Sequence, residues 1–276
     1  MSTSPVRTAA LNLLRQQMSK AQSPGVEPQA IRTGLTSLDR LLPDQGLSTR
    51  SVVEWVSDSP GLLGAAVALR CAASFLNQPG CLAVLDAQHD FHPMAALAAG
   101  IPLSRVLLIQ PSRDDSAATE ASNTPETNAS PAVHRIRRAS SLHADAIWAL
   151  EQTARCAAVR VILCSLDRVT STVMRRLQLA VERSGASVFL LRPSSALQQP
   201  SWADLRFRIQ SLVGTNHNPD GNQAASGAQH LAVELLKARS AVTQTGRAEL
   251  KVDYETGVVS EISQLANPAS PTSPAD

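Results

Sequence analysis

The stretch Ser57-Asp58-Ser59-Pro60-Gly61-Leu62-Leu63-Gly64 follows a β-branched run, Val52-Val53-Glu54-Trp55-Val56, and precedes an alanine-rich segment. A strand, a tight turn and a helix in that order are the setting of a phosphate-binding loop. A working loop reads G-x-x-x-x-G-K-[ST]: backbone amides cradle the phosphates, the lysine meets the β and γ oxygens, and the hydroxyl holds Mg²⁺. This turn contains no lysine. Gly61 and Gly64 beside a helix N-terminus leave a residual anion site open as one reading. A simple tight turn is the plainer one, and Asp58, which would repel phosphate, favours it. Metal chemistry is not expected. The four cysteines, Cys71, Cys81, Cys156 and Cys164, form no CxxC pair, and no histidine sits at ligand spacing beside one. They read as small buried apolar residues in a reducing compartment.

The elements around this turn alternate. Apolar strand runs are expected at Val52–Val56, Cys81–Leu85, Val106–Ile109, Val159–Leu163 and Val188–Leu191. Between them fall helices at Ala65–Asn77, Pro93–Ala99, 141–157 and Thr170–Ser184. Ser140 or Ser141 stands as the cap of the third helix, and Gly185 ends the last. Such alternation predicts an α/β domain with a mostly parallel sheet flanked by helices. The C-terminal third differs: Leu205–Leu212, Leu231–Lys237 and Glu249–Val252 read as strands with no helices between them, an antiparallel extension.

The domain is expected to span 31–261. Residues 1–30 precede it as an amphipathic helix (Val6, Leu11, Leu14, Met18) and a linker broken at Ser23-Pro24-Gly25. Residues 112–132 are rich in Ser, Asp, Thr, Asn, Glu and Pro and read as a disordered insertion. The Gly/Asn-rich stretch 214–229 reads as a mobile loop, and 262–276 as a disordered tail.

Composition narrows the function. A net charge of +2 does not by itself demand nucleic acid, and 3% aromatics leave little for base-stacking platforms. No signal core and no bilayer-length apolar run is present, so a soluble cytoplasmic protein without membrane association is expected.

In this frame the chain resembles bacterial RecA over most of its length. Thr33-Gly34, Leu38-Asp39 and Gly46-Leu47 are similar to the segment before RecA's first core strand, and Val53-Glu54-Trp55-Val56 is similar to that strand. Leu85-Asp86-Ala87-Gln88-His89 with Pro93 looks like its Asp-Ala-Glu-His segment, and Leu107-Leu108 with Gln110-Pro111 matches a later strand end. The resemblance also locates the departures. Ser57 and Leu62 stand at the loop's two glycines, Leu63 at its lysine and Gly64 at its Ser/Thr. Gln88 stands where RecA has its water-activating glutamate, and Cys164 where the family has the Mg²⁺-linked aspartate. Leucine cannot stabilise charge on a transferring phosphoryl group, and glutamine cannot take a proton from water at neutral pH. Three losses in one site imply no hydrolysis and no bound ATP cofactor.

Later segments sharpen the resemblance. Asp145-Ala146-Ile147-Trp148-Ala149-Leu150-Glu151-Gln152, Arg175-Arg176-Leu177-Gln178-Leu179-Ala180, Leu191-Arg192-Pro193, Pro200-Ser201-Trp202-Ala203-Asp204-Leu205-Arg206 and Val233-Glu234-Leu235-Leu236-Lys237 look like stretches of the ImuA family. That family supplies RecA-like accessory factors of SOS-induced mutagenic translesion DNA synthesis. The resemblance implies partnership with an ImuB-like, polymerase-related protein and an error-prone DnaE-type polymerase. Two alternatives stay open: a SulA-like inhibitor that caps a polymerising protein, RecA itself included, and a residual nucleotide- or DNA-binding RecA paralogue.

Candidate partner or DNA contacts are Arg135, Arg137 and Arg138, the densest basic cluster, together with Arg175, Arg176 and Trp202. The plainer reading makes the first cluster a solubilising flank and Arg175-Arg176 a solvated helix face. Trp148 is read as core. Asp86 is read as scaffold and Asp167 as a cap or surface residue. Any DNA contact is expected to be indirect.

Overall fold

The computed structural model describes residues 28–58, 62–111, 131–212, 228–239, 246–253 and 255–262; of Leu62 and of 131–142 the backbone alone is described. The expected helix over 5–20 and the tail lie outside these residues, as do almost all of the insertion and of the 214–229 loop.

Two short strands, β1 (Ala30–Ile31) and β2 (Leu47–Ser48), pair antiparallel around a one-turn helix, α1 (Thr36–Asp39). The parallel sheet then builds through β3 (Val52–Ser57), α2 (Leu62–Phe75), β4 (Cys81–Leu85), α3 (Pro93–Ala98), β5 (Val106–Ile109), α4 (Pro131–Ala154), β6 (Val159–Ser165), α5 (Ser171–Ser184) and β7 (Ser187–Pro193). A 3-10 turn at Ser194–Gln198 leads to β8 (Leu205–Ser211), β9 (Ala228–Ala238), β10 (Arg247–Asp253) and β11 (Val259–Glu261). The nine strands β3–β11 lie in the order β11-β10-β9-β8-β3-β7-β6-β4-β5. β8 through β5 run parallel, and β9, β10 and β11 extend the sheet antiparallel. The expected fold class is therefore the observed one.

Several boundaries differ from expectation. α4 begins at Pro131, ten residues before the expected start, so Ser140 and Ser141 lie inside the helix and cap nothing. The proline fits a first helical position because its missing N–H costs no bond there. α2 begins at Leu62, which takes Leu62, Leu63 and Gly64 out of the turn and into the helix. α5 behaves as expected: Thr170 Oγ1 accepts from Val173 N at 3.3 Å, and Gly185 closes the helix in the left-handed region at φ 87°.

β3 is the middle strand of the nine and is buried on both faces. Its alternation sends Val53 and Trp55 to one side and Val52 and Glu54 to the other. On the first side Trp55 stacks on Phe207 of β8 at 4.6 Å and meets Phe189 of β7 edge-on at 5.7 Å, while Phe75 of α2 packs on Phe189. α2, α3 and the antiparallel strands close this core. On the second side α4 and α5 cover β4, β6 and β7 with Ala146, Leu150, Met174 and Leu177 inward.

Only a 3-10 turn, Ser194–Gln198, joins β7 to β8, so the connection over β3 leaves carbonyls that need partners. Glu54 organises them. Its Oε1 accepts from Arg192 Nη1 at 2.8 Å, and its Oε2 lies 3.2 Å from Arg206 Nε. All three side chains are buried. Arg192 also donates to Asp167 O at 3.0 Å and Gln199 Oε1 at 2.7 Å. Arg206 donates to Gln199 O at 3.1 Å and to Ala196 O. Burial pulls the Arg206 guanidinium below its ordinary pKa, and Glu54 opposes that. Glu54→Ala would leave two guanidiniums buried and unpaired, and is expected to lower unfolding free energy by about 3–5 kcal/mol in urea titrations. A loss near the surface-pair level of about 1 kcal/mol would show that the clamp is solvated.

Candidate functional site

The carboxyl ends of β3, β4 and β6 share one edge of the sheet. Ligands of open α/β sheets bind along such an edge. Three strand spacings separate β3 from β4, roughly 14 Å. This edge holds the loop-like turn, Gln88 and Cys164, the three places where the resemblance locates lost chemistry.

At the turn, Ser57 ends β3 and Asp58 follows it; Ser59, Pro60 and Gly61 lie outside the described residues. Asp58 N donates to Ile209 O at 3.1 Å, which ties the turn to β8. Asp58 Oδ2 accepts from Arg208 Nη2 at 2.9 Å and from Nε at 3.3 Å. The acid that would repel phosphate is therefore largely neutralised by a partner that sequence reading did not single out. Its signal was present, since Arg206 and Arg208 alternate with Leu205, Phe207 and Ile209 along the strand, but the pairing needs the β3–β8 register Ser57↔Ile209.

The helix beyond the turn is packed as structure. Leu63 sits against the main core in the position matched to the lysine. Gly64 is buried, and a Cβ there would meet Ser57 Cβ at 3.3 Å, so a larger residue would crowd the strand end. The Leu62 side chain lies outside what is described.

Gln88 is exposed just beyond β4. The buried group beside it is Asp86, which accepts from Gln110 Nε2 at 3.0 Å and from Asp90 N at 3.0 Å. Burial pushes its carboxyl up, but hydrogen bonds from Gln110 and from the amides of Asp90, Phe91 and His89 outweigh burial and hold its pKa below the usual value. Asp86 thus folds the loop 86–91, in which His89 takes a φ of 60°, and the scaffold reading agrees with this geometry. Cys164 lies in the core beneath α4 and α5, and burial pushes its thiol far up. It is an inert apolar residue there. These positions share an edge but present no set of charged groups to a common point.

The cysteines correct one expectation. Cys71 and Cys164 are buried, but Cys81 is half-buried and Cys156 is exposed. Cys156 lies in the tight turn between α4 and β6, where Val159 N closes back on Cys156 O at 3.1 Å. A turn on the surface has no core for it to enter.

The basic and aromatic candidates lie elsewhere. Arg135, Arg137 and Arg138 fall in the first turns of α4, and their side chains lie outside what is described. Arg175 and Arg176 are exposed on α5, and Arg176 reaches Glu151 of α4 at 3.4 Å. Trp202 is exposed, while its carbonyl accepts from Gln178 Nε2 at 2.7 Å and Arg239 Nη2 at 3.3 Å. Trp148 is 66% exposed, against the expectation of core. Ala146 and Leu150 fill the inward stripe of α4, and residue 148 falls outside it by the helical period. Asp167 is at the surface as expected, and its carbonyl is the part used, by Arg192.

Among the described residues no cluster of three or more His, Cys, Asp or Glu could hold a metal, and no helix is long and apolar enough to cross a membrane. No protein-family model matches the chain, and no curated protein matches it.

Two outcomes follow from the packing of this edge. Leu63→Lys is expected to leave ATP affinity unchanged and to cost about 1 kcal/mol, because a half-buried leucine loses its apolar contacts; a fluorescent-nucleotide titration and a melting curve check both. Asp86, held low, contributes stability above its unfolded pKa of about 3.9. That contribution is lost as pH falls from there through the lower folded value. Asp86→Asn should therefore lose stability at neutral pH and narrow its gap to the parent protein as the solution is acidified below that point, read by denaturant titration at each pH.

Proposed function

We propose that this chain is a non-catalytic, RecA-like accessory protein of the ImuA type, which serves mutagenic translesion synthesis by binding an ImuB-like protein and an error-prone DnaE-type polymerase in the cytoplasm. The reading rests on sequence resemblance. One structural observation carries its non-catalytic part: Leu63, at the position matched to the catalytic lysine, packs half-buried against the core, while Arg208 holds Asp58 at the strand end. A phosphoryl group placed there would find no lysine, and the nearby guanidinium of Arg208 is engaged by Asp58, so the electrostatic part of phosphoryl transfer lacks its cation. Gln88 and Cys164 supply neither a base nor a Mg²⁺-linked acid.

The parallel sheet with its antiparallel C-terminal extension supports the RecA-like frame. The exposed Trp148, Trp202 and Arg175 support a role in binding, since tryptophan and arginine dominate the energetics of interfaces.

The test is a tagged pull-down after DNA damage, read by mass spectrometry. Co-purification of a polymerase-like protein is expected, with no nucleotide binding by the purified chain. Absence of any polymerase-related partner under damage-inducing conditions would remove the accessory reading. Phosphate release stimulated by single-stranded DNA would remove the non-catalytic one.

A further inference from the structure

The C-terminal halves of α4 and α5 lie side by side, and the groove between their ends encloses about 580 Å³. Arg155, Arg176 and Arg183 stand along it, and Ala157, Leu179 and Ala180 form its apolar part. The backbone here is already satisfied: Ser184 Oγ donates to Ala154 O at 2.7 Å, and Gly185 N to Val181 O at 3.0 Å. Glu151 meets Arg176 only, at 3.4 Å, with that arginine side chain 59% exposed. Among the described residues neither Arg155 nor Arg183 has a hydrogen-bond or ion-pair partner for its guanidinium. Leu179 is 39% exposed between them.

We propose that this groove is a docking site for an acidic peptide segment of a partner protein, one that places a large apolar side chain between two carboxylates. The charge argument comes first. Two uncompensated guanidiniums on one rim select carboxylates, which they bind bidentately. The apolar part then selects the class of ligand. A sugar–phosphate backbone would leave Leu179 and Ala157 against polar atoms, and no aromatic ring lines the groove to stack a base. A peptide with an apolar anchor covers those groups and places its acids on the rim.

The spacing narrows the peptide further. Arg183 and Arg176, the latter 59% exposed and held by Glu151 at 3.4 Å, are two helical turns apart, about 10 Å, which an extended peptide covers in about three residues. The segment is therefore acid, apolar anchor, acid within a span of about four residues. The site is independent of the accessory reading above, because it uses only the charge and shape of these two helices and needs no polymerase partner.

The experiment is fluorescence anisotropy on the full chain with three labelled probes: a short peptide alternating aspartate and leucine, its aspartate–serine counterpart, and an oligothymidylate of similar length. The aspartate–leucine peptide is expected to bind at least tenfold tighter than either of the others. Arg155→Glu/Arg183→Glu should weaken it at least tenfold and gain affinity for a lysine–leucine peptide. Leu179→Ser should weaken it several-fold. The replaced side chains are exposed, so unchanged melting temperatures are expected, and Arg155→Gln/Arg183→Gln gives a milder second variant. Equal binding of the two acidic peptides, unchanged affinity in the double variants, or preferred binding of the oligothymidylate that the double variant abolishes would each overturn the proposal.

Discussion

A carboxylate buried between two arginines sets the terms for the centre of this molecule. Glu54 lies on the central strand, and its partners Arg192 and Arg206 come from the strands on either side. Taking three charges out of water costs several kcal/mol per ion, and the cost is offset only where each charge is paired and its remaining groups are bonded. Here most of the spare donors reach Asp167, Ala196 and Gln199, carbonyls and a side chain of the chain around the sheet, while Arg192 Nε is buried without a hydrogen bond. The same contacts that neutralise the charges therefore hold the β7–β8 connection onto β3. An apolar strand could pack as well, but it would leave those carbonyls without donors. The opposite face of β3 shows the contrast: Trp55 meets Phe207 and Phe189 there with no buried charge.

This arrangement bears on the strand end that a phosphate-binding loop would occupy. With β3 clamped on one face and stacked on the other, the turn after it is tied to β8 through Asp58, Arg208 and Ile209. α2 starts immediately beyond, with Leu63 turned to the core. Leu63 at this position contributes apolar packing and carries no charge. Cys164 repeats the pattern on β6, where an apolar thiol fills core beneath two helices.

The unsatisfied surface lies on the side away from that edge. Arg155, just past the end of α4, and Arg176 and Arg183 of α5 line one groove with Leu179. Helix C-termini attract cations through the macrodipole, which explains arginines at both ends. It does not explain an exposed leucine among them, nor two guanidiniums without partners among the described residues, and these features distinguish the groove from an ordinary solvated helix end.

The sequence by itself determined the alternation of strands and helices, because apolar runs of strand length separated by amphipathic segments admit few arrangements. It also determined that the turn after β3 lacks a lysine and that Thr170 and Gly185 bound α5, since these depend on local chemistry. Helix starts were less legible: α4 and α2 both begin earlier than periodicity indicated, because a polar or glycine-bearing first turn carries no apolar stripe. Which residues face solvent was decided by packing alone. Trp148 reads as core by type, yet its neighbours Ala146 and Leu150 occupy the inward stripe and leave it outside. The pairs Glu54–Arg192, Glu54–Arg206 and Asp58–Arg208 join residues 138 to 152 positions apart, so only strand order and register bring them together. The groove of Arg155, Arg176 and Arg183 likewise exists only once two helices separated by a strand lie side by side.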